Sequence, residues 1–246
     1  MDPYERIAAL YDCEHADFDD DIRFYLHALQ PGSVLEIGTG TGRVARALAT
    51  AGYQVRAIDP SEAMLLRARA VAGSAPGVRF ENGALPELRL NQKFENVILS
   101  LNTLWHVADP TAQLQALRAV HGALAPGGLL YLDLTNPLSM ADRGANGQVR
   151  ERYRGLCGDS VLLVQSAAWD DEANQILTLH LSFDRVSENG TVDRTLTALR
   201  LRYLYRSEVE LMLAAGELRV RAVFGSYDME SYGGGSSNLI VVAARD

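Results

Sequence analysis

The densest chemistry in the chain lies in Val34-Leu35-Glu36-Ile37-Gly38-Thr39-Gly40-Thr41-Gly42, an apolar run that ends in alternating glycines. Glycines so spaced let the main chain turn sharply and let a ligand lie against bare backbone. Amides at the start of a following helix add donors to the same spot. Asp59 closes the next apolar run, where a carboxylate can accept both hydroxyls of a ribose. That much suits a nicotinamide dinucleotide and an S-adenosyl cofactor equally, and Gly40-x-Gly42-x-x-Ala45 also fits the loose dinucleotide fingerprint. Two features favour the S-adenosyl cofactor: Glu36, because a dinucleotide site has no need of an acid at the strand end, and the extended Gly38-x-Gly40-x-Gly42 crowding.

The elements that must position these residues alternate. Strand patterns over Ser33–Ile37, Gln54–Ile58, Val78–Glu81, Phe94–Leu101 and Leu129–Leu134 are separated by helical stretches at Val44–Ala51, Glu62–Val71 and Thr111–Leu124. Ser61 is placed to cap the second of these helices. Such alternation implies a parallel sheet with helices on both faces. After Pro137 the pattern changes to long strand-like runs, Val161–Trp169, Ile176–Val186 and Val192–Tyr205, with Asn189-Gly190 as a hairpin turn. Apolar side chains recur with period two at Leu177, Leu179, Leu181, Phe183 and at Leu199, Leu201, Tyr203, Tyr205, so one face should be buried. Ser207 and Glu210 are spaced as a capping box, Gly216 stands at a helix end, and strands are expected at Leu218–Phe224 and Leu239–Ala244.

The pattern of residues 33–135 resembles the class I S-adenosylmethionine methyltransferases. Glu36-x-Gly38-x-Gly40-x-Gly42 is similar to their glycine motif, and Asp59-Pro60-Ser61-Glu62-Ala63-Met64 to their ribose motif. Phe80-Glu81-Asn82-Gly83-Ala84-Leu85-Pro86 looks like the adenine-edge motif, with Ala84 where the family usually has Asp. Phe94–His106 resembles the fourth-strand motif, with Asn96 where Asp is usual. Leu124-Ala125-Pro126-Gly127-Gly128 resembles the turn into the fifth strand. The resemblance implies an α/β, Rossmann-like, seven-stranded and mainly parallel sheet with helices on both faces, plus an antiparallel β insertion. Residues 1–144 and 206–246 would form the S-adenosylmethionine-binding domain with an N-terminal helical cap. Residues 145–205 would form the insertion over the substrate pocket, a layout similar to the amino-sugar N,N-dimethyltransferases.

By the same resemblance the cofactor is S-adenosyl-L-methionine, bound by Tyr11, Glu36, Gly38, Gly40, Asp59, Pro60, Met64, Ala84, Leu85 and Leu101. Asp59 would take the ribose, Met64 the adenine face, the Ala84 and Leu85 amides the adenine edge, and Tyr11 the methionine carboxylate. Asn102 and Trp105 would shape the acceptor pocket, and His106 would accept a proton or orient a small-molecule acceptor. The alternative is an NAD(P)-dependent oxidoreductase using the same glycine loop.

With 23 Lys and Arg against 31 Asp and Glu, the formal net charge of −8 offers no general attraction to nucleic acid. Arg150, Arg152 and Arg154 are the only short basic cluster and read as a solvated edge; Asp19, Asp20 and Asp21 read as a solvated helix start. Neither a metal-ligand pattern nor an apolar stretch of membrane length is visible. The two cysteines, Cys13 and Cys157, are compatible with one disulfide or with two thiols in a reducing cytosol. The expected setting is the cytoplasm, and a second copy could pair with the edge of the insertion.

Overall fold

In a computed structural model, described over residues 2–73, 76–107, 109–140 and 146–246, parallel strands and helices alternate as the hydrophobic patterning requires. The chain runs α1 (Ala8–Glu14), α2 (Asp20–Ala28), β1 (Val34–Ile37), α3 (Arg43–Thr50), β2 (Val55–Asp59), α4 (Glu62–Ala72), β3 (Val78–Asn82), β4 (Phe94–Leu99), α5 (Pro110–Ala123) and β5 (Leu124–Thr135). Strands β6 (Val149–Cys157), β7 (Ser160–Asp171), β8 (Ile176–Val186) and β9 (Val192–Arg202) follow, then α6 (Arg206–Ala215), β10 (Arg219–Phe224) and β11 (Asn238–Ala244). A seven-stranded sheet has the order β10-β11-β5-β4-β1-β2-β3. Its strands are parallel except β11, which is antiparallel to both β5 and β10. Strand order reverses between β1 and β4, which opens a crevice at the carboxyl ends of the strands.

Both faces of this sheet are covered. Leu239, Val241 and Ala243 of β11 join one core cluster with α5 and α6, while Ile240 and Val242 join the other with α2 and α3. Two caps set helix starts locally: Ser61 Oγ accepts from the Met64 amide at 3.2 Å, and an Asp109 carboxylate oxygen from Ala112 at 2.8 Å.

Strands β6-β7-β8-β9 form a separate antiparallel sheet. Leu177, Leu179, Leu181 and Phe183 are buried against the main core, as their period predicts. Strand β6 has no counterpart in the sequence reading. Its Arg150, Glu151, Arg152 and Arg154 erase the apolar alternation because it is an edge strand, and edges are commonly kept charged. The expected boundary at 144–145 lies outside the described residues.

Two local expectations are corrected and one open alternative is decided. Helix α6 starts at Arg206 with Tyr205 in the cap position and no side-chain cap. Glu210 bonds Arg206 at 2.7 Å instead of closing a box with Ser207. Of the three acids at the start of α2, Asp19 and Asp20 are exposed and pair with Arg23, but Asp21 is buried and holds Arg43 through two bonds of 2.8 and 2.5 Å. Finally, Cys13 and Cys157 are joined, with Cα atoms 5.5 Å apart. Helix α1 packs on β6 and β7, which brings together two cysteines separated by 144 positions in sequence.

Candidate active site

The glycine turn and Asp59 meet at the crevice. One Asp59 carboxylate oxygen accepts the Gly40 amide and the other the Ser61 amide, each at 2.8 Å. Each oxygen has a second lone pair, so the carboxylate is fixed by main chain yet still able to take two hydroxyls. Burial and nearby Asp2 raise its pKa, against the pull of those two amides. Gly38 and Gly42 both have φ of +77°. A Cβ on Gly38 would collide with the Thr103 side chain, and one on Gly42 would lie 2.7 Å from the Phe80 ring. The turn is therefore bare because the Thr103 side chain, in the turn after β4, and the Phe80 ring, on β3, press against it.

The cavity beside the turn has a volume of about 440 Å³. Glu36 lies at one wall, almost wholly buried, accepting Thr39 Oγ1 at 2.6 Å and Ser100 Oγ at 3.4 Å. Burial pushes its carboxyl up to about 7. Arg43, at the start of α3, also lines the cavity; its guanidinium is held by Asp21 and by the Phe18 carbonyl at 2.9 Å. Tyr11 of α1 stands nearby, stacked on His15 with ring centres 4.1 Å apart, and burial pushes its hydroxyl up to about 12.

The mouth is closed by the first residues of the chain. Asp2, Pro3 and Tyr4 line the cavity. Asp2 accepts Ser61 Oγ at 2.5 Å, the Pro3 carbonyl accepts Thr197 Oγ1 of β9 at 2.6 Å, and Tyr4 Oη lies 3.2 Å from His106 Nε2. Burial lowers the His106 pKa to about 4 and raises that of Tyr4 far above its ordinary value. Near neutral pH both groups are uncharged, with the phenol hydrogen available to the ring nitrogen.

A family model described as a methyltransferase domain matches residues 34–128. A cypemycin N-terminal methyltransferase from a Streptomyces species is 31% identical over 216 residues, which span 87% of this chain and 83% of that protein. The chain belongs to the S-adenosylmethionine-dependent methyltransferases. The solved structure of the CcbJ methyltransferase from Streptomyces caelestis matches with a TM-score of 0.77 at 28% identity, over 92% of this chain and 88% of that one. An S-adenosylmethionine-dependent methyltransferase from Clostridium acetobutylicum ATCC 824, 17% identical, has the same fold, with a TM-score of 0.81 over 99% of both chains. No relative named here is an oxidoreductase.

In this methyltransferase Tyr11, Glu36, Gly38, Gly40, Asp59, Pro60, Met64, Ala84, Leu85, Leu101 and His106 all line one cavity. Two expected acceptor contacts do not. The Asn102 amide group is turned onto β5, with its oxygen 2.7 Å from the Thr135 amide and its nitrogen 3.0 Å from Thr135 Oγ1. Trp105 is in the core, edge-on to Tyr203 at 6.2 Å. Both follow from the turn at Leu101 and Asn102, whose φ values of 44° and 65° redirect the chain after β4. The insertion sheet contributes none of the cavity's lining among the described residues; it reaches the site through Thr197 and the N-terminal segment. Asn96, which replaces the usual acid, bonds Gln30 and Ser33 and tethers the approach to β1.

Sequence reasoning missed Arg43, Tyr4, Thr39 and Ser100. Arg43 adjoins the glycine motif and carried a usable signal. Tyr4 carried none, because its partner His106 is 102 positions away.

Proposed function

We propose that this methyltransferase methylates an uncharged amine nitrogen on a small-molecule acceptor. When bound, S-adenosylmethionine supplies a methyl group on a sulfonium that is already activated for displacement. Asp59 would take its ribose, Glu36 and Arg43 with Tyr11 its amino-acid end, and Met64, Ala84 and Leu85 its base. The carboxylates of Asp2, Glu36 and Asp59 favour a cationic donor. His106 is neutral and Tyr4 keeps its proton, so the pair suits orienting an acceptor that attacks with its own lone pair. A hydroxyl acceptor would have to lose a proton, and a His106 ring with its pKa lowered to about 4 is poorly tuned to take it.

The Tyr4 hydroxyl, set 3.2 Å from His106 Nε2 on the lining of the cavity, is the observation that carries this reading. The name of the cypemycin relative, an N-terminal methyltransferase, also supports nitrogen as the acceptor. The test is a panel of primary and secondary amines, amino sugars and matched alcohols with labelled donor at pH 8. Label should pass to amines and not to the alcohols. Transfer to hydroxyls alone would overturn the proposal. No helix among the described residues is long and apolar enough to cross a membrane. The Cys13–Cys157 pair sets a condition on the cytoplasmic expectation, since such a bond forms only where oxidation is permitted.

A further inference from the structure

Behind the cavity wall lies a buried carboxylate to which the methyl-transfer reading assigns no part. Asp133, near the end of β5, is 2% exposed. One of its oxygens accepts three donors: Tyr227 Oη at 2.9 Å, the Leu101 amide at 3.3 Å and Tyr25 Oη at 3.4 Å. The three come from separate parts of the chain, namely the loop between β10 and β11, the turn after β4, and α2. An acid in an apolar sheet face is costly unless its oxygens are used.

Leu101 is the telling partner. It lines the donor cavity, and its φ of 44° is one that a leucine rarely adopts. The next residue, Asn102, is also left-handed, and its amide bonds the Asp133 carbonyl at 3.0 Å. Asn102 locks its side chain on Thr135, so the second half of the turn is held without the Asp133 carboxylate. The Leu101 amide instead donates to the Asp133 side chain. Tyr227 in turn packs edge-on against Phe18 at 5.8 Å and Phe24 at 6.3 Å, and Phe18 lies under the Arg43 guanidinium at 5.0 Å.

We propose that Asp133 is a positioning residue for donor binding: its carboxylate holds the strained Leu101 turn against the cavity and couples that wall to Tyr227 of the C-terminal loop. The proposal rests on the donor site described above and on no assumption about the acceptor. Burial pushes the Asp133 carboxyl up to about 6, with Asp21 of α2 raising it and the three donors lowering it. Glu36 of β1, Arg43 of α3, Tyr25 of α2 and Tyr227 are the other ionisable groups facing this region. Only the ionised form gives all three donors a strong acceptor, so the turn loosens as Asp133 gains a proton.

The experiment compares the full-length wild type, Asp133→Asn and Tyr227→Phe, titrated with S-adenosylhomocysteine from pH 5 to 8, with amide hydrogen exchange on the unliganded proteins. Asp133→Asn should bind about tenfold more weakly at pH 8. Its Leu101 amide should exchange faster, while Gly83–Leu85 at the opposite wall is unchanged. Tyr227→Phe should show the same pattern at about threefold. On acidification the wild type should lose affinity through about pH 6 by a step that Asp133→Asn lacks. Glu36 titrates nearby but is common to both, so the difference between the two curves isolates Asp133. A folded Asp133→Asn with wild-type affinity, exchange and pH profile overturns the proposal. Should Asp133→Asn not fold, unchanged affinity and Leu101 exchange in Tyr227→Phe overturn it instead. Failure of the wild type to bind S-adenosylhomocysteine at all would sink the donor reading itself, a separate outcome.

Discussion

The half of the cavity proposed for the donor and the half proposed for the acceptor are built by different means. The donor half is mostly main chain at the ends of adjacent parallel strands. Gly38, Gly40 and Asp59 fall into place once β1 and β2 pair in register. The acceptor half is side chains on a short N-terminal segment and a turn, fastened by contacts that span 59, 102 and 194 positions. A site made from backbone needs particular residues at particular spacings. A site made from long-range fastenings needs only that complementary groups arrive together. The first half should therefore be rigid and intolerant of substitution, and the second adjustable.

The sharpest break in that contrast comes from Asp59. Asp59→Ala removes the carboxylate proposed to accept two ribose hydroxyls and leaves the Gly40 and Ser61 amides unpaired. Two bonds to a charged group are worth about 3–6 kcal/mol, a hundredfold or more in affinity. Calorimetry with S-adenosylhomocysteine reads it directly. A tenfold loss or less would show that the donor half is not anchored where we place it.

Glu36 gives the next effect, and it is a function of pH. Its carboxyl is raised from 4.5 to about 7 by burial, so the folded chain holds this proton more tightly than the unfolded chain. The resulting stabilisation is complete below the unfolded value and is lost as pH rises through about 7. Its upper limit is about 3 kcal/mol. Urea denaturation of the unliganded protein should show stability falling between pH 5 and pH 8, and Glu36→Gln should flatten that fall. Donor affinity should move the opposite way, rising with pH as the carboxylate appears beside a cation. Parallel movement of the two would refute the assignment of Glu36 to the donor.

The same contrast explains how much was legible in the sequence. The parallel strands, the helix cap at Ser61 and the gathering of the expected donor residues on one cavity were readable, since each is a local pattern with a local cause. Strand β6 was hidden because an edge strand rich in arginine and glutamate lacks apolar alternation. Asn102 and Trp105 were misplaced because a motif gives the order of residues, not the left-handed turn that aims them. The false capping box at Ser207 failed for a related reason: Arg206 takes Glu210 into an ion pair, and the helix begins two residues earlier than a serine cap requires. Tyr4 was invisible until the fold brought its hydroxyl to His106.

Tyr4→Phe tests whether the acceptor half is separable. It removes one hydroxyl from the pair and leaves the donor wall untouched. Turnover of an amine acceptor should fall about tenfold while S-adenosylhomocysteine affinity stays within about twofold. His106, lowered to about 4, should contribute no inflection to the rate between pH 5 and 9. The rate should instead climb with pH until the acceptor amine has lost its proton. An inflection that disappears in His106→Gln would make His106 a base and break the orienting role given to it.

The smallest effect is expected from the insertion, and it decides whether that sheet belongs to the acceptor half at all. Its inner face is spent on the core, and Thr197 Oγ1 bonds the Pro3 carbonyl of the segment at the cavity mouth. Thr197→Val keeps the shape of β9 and deletes that bond, which is worth about 1 kcal/mol. If the sheet acts by holding the segment, acceptor KM should rise about threefold, with turnover and donor affinity unchanged. A change in donor affinity would mean the two halves are coupled through the mouth. No change at all would reduce the insertion to a cover for the core, and leave the positioning of Tyr4 to Asp2, His106 and the packing around Ile7.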